Sequence, residues 1–280
     1  MDMMAAEHWQ RIAAAPDRQV NLVEAALVIA AGEYQQLDID GYLERIEELA
    51  AQFRRRLRQD IPPTEIIIAL NHYFFDELGF AGNSAEFYDP RNSFLNEVID
   101  RRLGIPITLS ILYIEIGRRA GLKLRGVSFP GSFLVKCAVR DGAIVLDPYA
   151  RGASLSIEDL RQRLRVLRNG AEIAPETVCS MITAAGNKEI LARMLRNLKC
   201  IYLDQDEMTK ALAAVDRIIA VEPGAALEFR DRGEIHLKLE CFRAALADFR
   251  QYLALAPRAD DADAVLRQVA ELQQVASRLN

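Results

Sequence analysis

Apolar positions recur at helical spacing along the first 58 residues. ALVIAA follows Val23 and Glu24, and DIDGYLERIEELAAQFRRRL sets Tyr42, Leu43, Ile46, Leu49, Ala50 and Phe53 on one face, which predicts helices from Trp9 to about Arg58. Ile61-Pro62-Pro63-Thr64 breaks the pattern, and Thr64 is the expected cap of a helix over EIIIALNHYFFDELG that closes at Gly79. The turn-forming run GNSAEFYDPRNS leads into another helix, on which Phe94, Leu95, Val98, Ile99 and Leu103 share a face and which Gly104 is expected to end. Pro106 suits the first turn of the next helix, where its missing N–H costs nothing. ITLSILYIEIGRRAG is apolar on almost every side, with Glu115 its only mid-helix charge, so this helix is expected to be buried.

Beyond Gly121 the pattern shortens to strict alternation, and LRGVSF, SFLVKCAV and AIVLD read as three short strands. Asp141-Gly142 is a strong signal for a two-residue hairpin between the last two. A turn there sets Lys136 opposite Asp147 as a cross-strand ion pair and puts Ser132 and Asp147 on one sheet face. Ser154 to Arg168 reads as a further amphipathic helix with Ser156 as its cap, followed by a softer stretch through Asn169, Gly170 and Pro175.

The last third repeats itself. Pro257 follows Pro223 by 34 residues, and the same offset joins Ala211 to Ala245, Leu212 to Leu246, Leu203 to Leu237 and Ala220 to Ala254. This period, with a small residue at the helix crossing and a closing proline, resembles the tetratricopeptide repeat. Two units are visible, at about 192–225 and 226–259, with a capping helix from about Asp261 to Leu279. The first unit departs from the pattern, carrying Lys199 where the second has Gly233. Two units are fewer than such an array needs to bury its own core, so the repeats are expected to lean on the preceding domain.

Composition narrows the function. Half of the chain is hydrophobic, and 40 acidic against 35 basic side chains leave a net charge of -5, which argues against a nucleic-acid partner. The apolar run from Ala25 to Ala31 is far shorter than the roughly 20 residues of a membrane span. The start, MDMMAAEHWQRIAAAP, lacks the basic and apolar regions of a secretory signal, so a cytoplasmic protein with no membrane partner is expected. Four cysteines, Cys137, Cys179, Cys200 and Cys241, are spaced too widely for a zinc site or a disulfide framework. They read as reduced core thiols, and neither a metal nor a cofactor is expected.

A buried helix introduced by Gly104, a strand starting near Ser132 and a strand ending in Asp147-Pro148 together resemble the transglutaminase-like, papain-like fold. More specifically, NSFLNEVIDRRLGIPITLSILYIEIGRRAGL, with VSFPGSF and VLDPY after it and repeats at the end, resembles the SirB-type bacterial family of transglutaminase-like proteins with C-terminal tetratricopeptide repeats. The likeness spans roughly residues 60–280. It implies a helix-rich α+β protein in which a degenerate transglutaminase-like domain with a small antiparallel sheet precedes an all-α repeat region. The expected domains are an N-terminal helical segment packing on the core over 1–58, the transglutaminase-like domain over 59–185, and two repeats with a capping helix over 186–280.

The chemistry of the wider fold needs a cysteine at the N-terminus of the buried helix, a histidine on the neighbouring strand and an aspartate on the next. Carried onto this chain, the cysteine position is Pro106 and the histidine position is Ser132, where relatives commonly write PGHF and this chain has Pro130-Gly131-Ser132-Phe133. Only Asp147 of the triad remains. The resemblance therefore implies a chain with no catalytic residues, a regulatory or scaffolding protein binding a protein or peptide in the repeat groove or in the degenerate cleft, and homodimerisation is also open.

The alternative is a hydrolase or acyltransferase with a rearranged site around Ser110, Ser132 and Asp147, with Cys137 or His72 enlisted. Against it, Cys137 shares strand parity with Phe133, Val135 and Val139 and reads as a core thiol, Ser110 as a back-bonded core serine, His72 as a surface histidine, and Asp147 as an orienting or capping group. Arg101-Arg102, Arg118-Arg119 and the block RQRLRVLR could gather into a face for an acidic partner, or stand as solvated helix faces balanced by acidic neighbours.

Overall fold

The computed structural model describes the backbone of residues 3–278 and the side chains of residues 6–273. The chain forms two compact units. The first takes the start of the chain to His8 and Ala15–Ile190; the second takes Trp9–Ala14 and the chain from Leu191 onward.

Three helices open the chain: α1 (Met3–Ala14), α2 (Leu22–Ala31) and α3 (Ile39–Arg56). Asn21 caps α2 by accepting the N–H of Glu24, and the helix is buried from Ala25 to Ala30, as its all-round apolar sequence requires. Helix α3 is amphipathic and sinks only Ile46, Ala50 and Phe53. Next comes α4 (Pro63–Asn71), with Pro62 at the cap position and Pro63 in the first turn. Thr64 therefore lies inside the helix rather than capping it, because Pro63 already has the helical φ and needs no N–H partner there. A π-helical turn, His72–Glu77, continues α4 before Gly79 ends it at φ 73°.

The bridge β1 (Ala81–Gly82) pairs in parallel with β2 (Leu103–Gly104) across α5 (Leu95–Arg101). It is Arg102, at φ 61°, and not Gly104, that takes the left-handed turn ending α5, which frees Gly104 for the bridge. Pro106 opens α6 (Pro106–Arg119), the central helix of the unit, buried from Ile107 to Ile114. A four-stranded antiparallel sheet follows in the order β3 (Leu124–Val127), β4 (Leu134–Val139), β5 (Gly142–Asp147), β6 (Ala153–Leu155). Beyond it lie α7 (Ile157–Leu167) and α8 (Pro175–Met181), and Ser156 and Asp159 cap α7 reciprocally.

The sheet is covered on both faces. Leu124 and Cys137 lie on the face of α6, while Val127, Leu134 and Val145 form a core with Leu160 and Leu164 of α7 and Val178 of α8. The β4–β5 hairpin turns through Arg140 and Asp141, with Gly142 as the first strand residue at φ 142°. Neither central residue has a positive φ, so the glycine serves the position after the turn rather than a place within it. Lys136 consequently faces Val145, not Asp147, and its ammonium donates to the carbonyl of Ile182. The expected register is off by two residues, which preserves the face of every side chain and changes every partner.

In the second unit, α9 (Asn187–Asp204, from Leu191), α10 (Met208–Val221), α11 (Ala226–Lys238), α12 (Phe242–Leu255) and α13 (Ala262–Arg278) succeed one another, and each from α10 onward packs on the next. Ala211 and Ala245 are fully buried, and Pro223 and Pro257 each stand two residues past a helix end. Gly233 lets α11 approach α12 closely, since a Cβ there would lie 2.7 Å from Phe249. Lys199, at the corresponding place in the first repeat, turns its ammonium to Glu228 at 2.8 Å and Asp231 at 2.6 Å on α11. Leu279, the expected end of the capping helix, lies outside the described residues.

Candidate functional site

The positions that the sequence singles out lie at the N-terminus of α6, the entry to β4 and the end of β5. At the first, Ile105 stands at the cap position, and Thr108 one turn on accepts the N–H of Ile105 at 3.1 Å and donates to the carbonyl of Asn92 at 2.8 Å. Pro106 occupies the first helical position, which supplies neither a nucleophile nor a donor. Ser110, one turn further, is fully buried, and its hydroxyl reaches the carbonyl of Phe133 at 3.5 Å. Ser132 sits in the bend before β4, its N–H bonded to the carbonyl of Phe129.

Asp147 ends β5 and is 3% exposed. Its Oδ1 accepts the N–H groups of Tyr149 and Ala150 at 3.0 and 3.2 Å, capping the 3-10 turn Pro148–Ala150, and its Oδ2 pairs with Arg163 of α7 at 2.7 Å. Register explains the choice of partner. Asp147 shares the sheet face of Val145, which looks to α7, whereas α6 lies on the other face. Both oxygens of the carboxylate are thus engaged, one by a cap and the other by a guanidinium. Sequence reasoning reads Asp147 as an orienting or capping group but misses Arg163, whose position in the second turn of an arginine-rich helix carries no signal of a specific partner.

The remaining candidates do not assemble into a relay. Cys137 is fully buried, and burial pushes its thiol above the ordinary range, which disfavours the thiolate that nucleophilic attack needs. His72 is exposed on the π-helical turn, with Nδ1 2.9 Å from Asp76 and Nε2 3.7 Å from Glu77. Asp76 also pairs with Arg151. Tyr113 of α6 donates to Asn71 at 2.7 Å, and Asn71 donates to the carbonyl of Gly152 at 3.1 Å, a half-buried tie that holds α4, α6 and the β5–β6 turn together. Burial raises the Tyr113 hydroxyl far above the ordinary tyrosine range. No group of three or more metal-ligating side chains occurs among the described residues.

The basic block of α7 is mostly paired: Arg161 with Glu158 and Glu172, Arg163 with Asp147, and Arg165 with Glu172. Arg119 pairs with Glu115 and Glu47, and Arg101 lies 3.6 Å from Asp89. Arg101, Arg119, Arg161, Arg163 and Arg165 are thus balanced by acidic neighbours, whereas Arg102, Arg118 and Arg168 form no ion pair among the described residues.

Comparison with known proteins matches the model of the Transglutaminase-like superfamily to residues 40–196, more than half of the chain, and a tetratricopeptide-repeat model to residues 198–270. The chain belongs to the transglutaminase-like superfamily. Its bacterial relatives include a UPF0162 protein of Xylella fastidiosa, 38% identical over 94% of each chain, and one of Vibrio cholerae, 32% identical over 70% of this chain and 72% of the relative. Human F-box only protein 21 is 29% identical over 48% of this chain and 21% of its own length. No solved structure matches. The resemblance to the SirB-type family of transglutaminase-like proteins with terminal repeats holds for both domains, as does the helix-rich α+β architecture. Among the described residues, no helix of this transglutaminase-like protein is long and apolar enough to cross a membrane.

Proposed function

We propose that this transglutaminase-like protein is a non-catalytic scaffold of the cytoplasm that binds a protein or peptide through its repeats or its degenerate cleft, in a regulatory role. The observation that carries the reading is the state of Asp147: in an acyl-transfer triad this carboxylate orients an imidazole, and here both oxygens are committed to Arg163 and to a backbone cap. Pro106 and Ser132 supply neither a thiolate nor a base at the two matching positions. The tetratricopeptide match supports the binding half of the proposal, because stacked helical hairpins present extended concave surfaces to partners.

Two measurements test it. Purified protein is expected to turn over no amide or ester and to leave serine- and thiol-directed probes unreacted at Ser110, Ser132 and Cys137; turnover abolished by changing Asp147 would establish the rearranged hydrolase instead. Partners captured by the full chain are expected to be lost when the chain is cut after residue 185. Recovery of the same partners by the shortened chain would move the binding surface to the cleft.

A further inference from the structure

A cleft of about 600 Å³ lies wholly within the first unit, between the turn Asp17–Gln19, the exposed side of α6, β3 and the start of α9. Four arginines line it: Arg18, Arg118, Arg119 and Arg125. Arg119 is neutralised by Glu115 and Glu47. The other three, from three separate elements, form no ion pair among the described residues. Two carboxylates share the cleft, and both are already engaged. Asp17 accepts the N–H of Lys188 at 2.8 Å in the first turn of α9, and Glu115 pairs with Arg119. Burial raises the carboxyl of Glu115, and Arg118 draws it back down without pairing with it.

An arginine at the end of α6 is favoured by the helix dipole, which accounts for Arg118 but not for Arg18 or Arg125. In a chain with more acidic than basic residues, a concavity with four arginines against two carboxylates, three of the arginines without an ion-pair partner, calls for an anion from outside. Guanidinium forks match the oxygens of phosphate, and three of them suit its three terminal oxygens. The cleft is much larger than a phosphate ion, and half-buried Leu22, with the edges of Val20, Ile111 and Ile114 behind it, gives it an apolar wall. We propose that this cleft binds an organic phosphate, the phosphate held by Arg18, Arg118 and Arg125 and the organic body lying on that wall. The inference is independent of the repeats and of the triad positions.

Titration calorimetry on the full chain with phenyl phosphate, inorganic phosphate and benzoate tests it. Phenyl phosphate is expected to bind, inorganic phosphate more weakly, and benzoate weakest. Arg118→Gln and Arg125→Gln are each expected to lower the affinity for phenyl phosphate tenfold or more, with melting curves unchanged because both side chains are exposed and unpaired. Absence of binding by phenyl phosphate at millimolar concentration, or equal binding by wild type and both variants, overturns the site. Benzoate binding as tightly as phenyl phosphate overturns the phosphate assignment, and equal binding of the two phosphates overturns the role of the apolar wall.

Discussion

Two buried charges show how this chain uses ion pairs as structure. Removing the Asp147 carboxylate uncaps the turn Pro148–Ala150 and leaves Arg163 without its partner, so Asp147→Ala is expected to lower stability by about 3 kcal/mol and Arg163→Met by about 2 kcal/mol. Urea unfolding of both and of the double variant checks this, with a coupling above roughly 1 kcal/mol expected for groups in direct contact. Lys199 supplies a pH signature. Burial works against its charge, but hydrogen bonds and attraction to Asp231 and Glu228 outweigh it and raise the ammonium above the ordinary lysine value of 10.5. Its contribution is therefore complete at neutral pH and is lost as pH climbs from 10.5 through the higher folded value. In Lys199→Met, the alkaline part of the stability profile is expected to flatten, as read from urea midpoints across that range. The same variant removes one partner of a buried pair, which at neutral pH is expected to cost on the order of 3 kcal/mol.

At the scale of elements, close approach decides what each helix pair tolerates. Gly233→Val would put a β-carbon within 2.7 Å of the Phe249 ring and is expected to destabilise the second unit by about 1–3 kcal/mol, visible as a lower melting temperature in calorimetry. The same scale separates what could be read in the residues from what could not. Helix α6, its opening proline and its burial, the Ser156 cap and the three longer strands are legible because period and turn chemistry extend over several residues. The bridges β1 and β2 are two residues each and β6 is three, too short for any alternation to register. The hairpin shows a subtler failure: Asp141-Gly142 marks the turn correctly, but the glycine sits just after it, and that one-residue displacement moves every partner along β5 by two. The resemblance points to Pro106, Ser132 and Asp147 as the triad positions, whereas the helix that Asp147 pairs with depends on which sheet face α7 covers, a fact of tertiary packing.

Across the whole molecule, the four thiols differ in kind: Cys137 is the core thiol expected, but Cys179, Cys200 and Cys241 are exposed, because wide spacing in sequence says nothing of which helix face each one takes. A colorimetric thiol titration of native protein is expected to show three fast-reacting groups and a fourth that appears only on unfolding of the first unit. Four fast groups would place Cys137 at the surface. The order of the two domains was legible from the sequence because the repeat announces itself by a 34-residue offset and the transglutaminase-like part by its motif blocks. The cleft lined by arginines was not legible, since Arg18 is far from Arg118 in sequence, and Arg118 and Arg125 stand on different elements with no common motif.

The segment GNSAEFYDPRNS has the composition of a floppy connector, yet Asn92 within it is fully buried. Its amide donates to the carbonyl of Glu86 at 2.6 Å, it receives the amide of Asn83 at 3.1 Å, and Thr108 bonds its carbonyl. One asparagine thus rivets the excursion between β1 and α5 to the central helix, while its tip, residues 84–88, is open to water. A digestive enzyme clipping at that tip would leave both severed ends fastened from inside, so the nicked chain would keep its size and shape until the rivet itself was drawn.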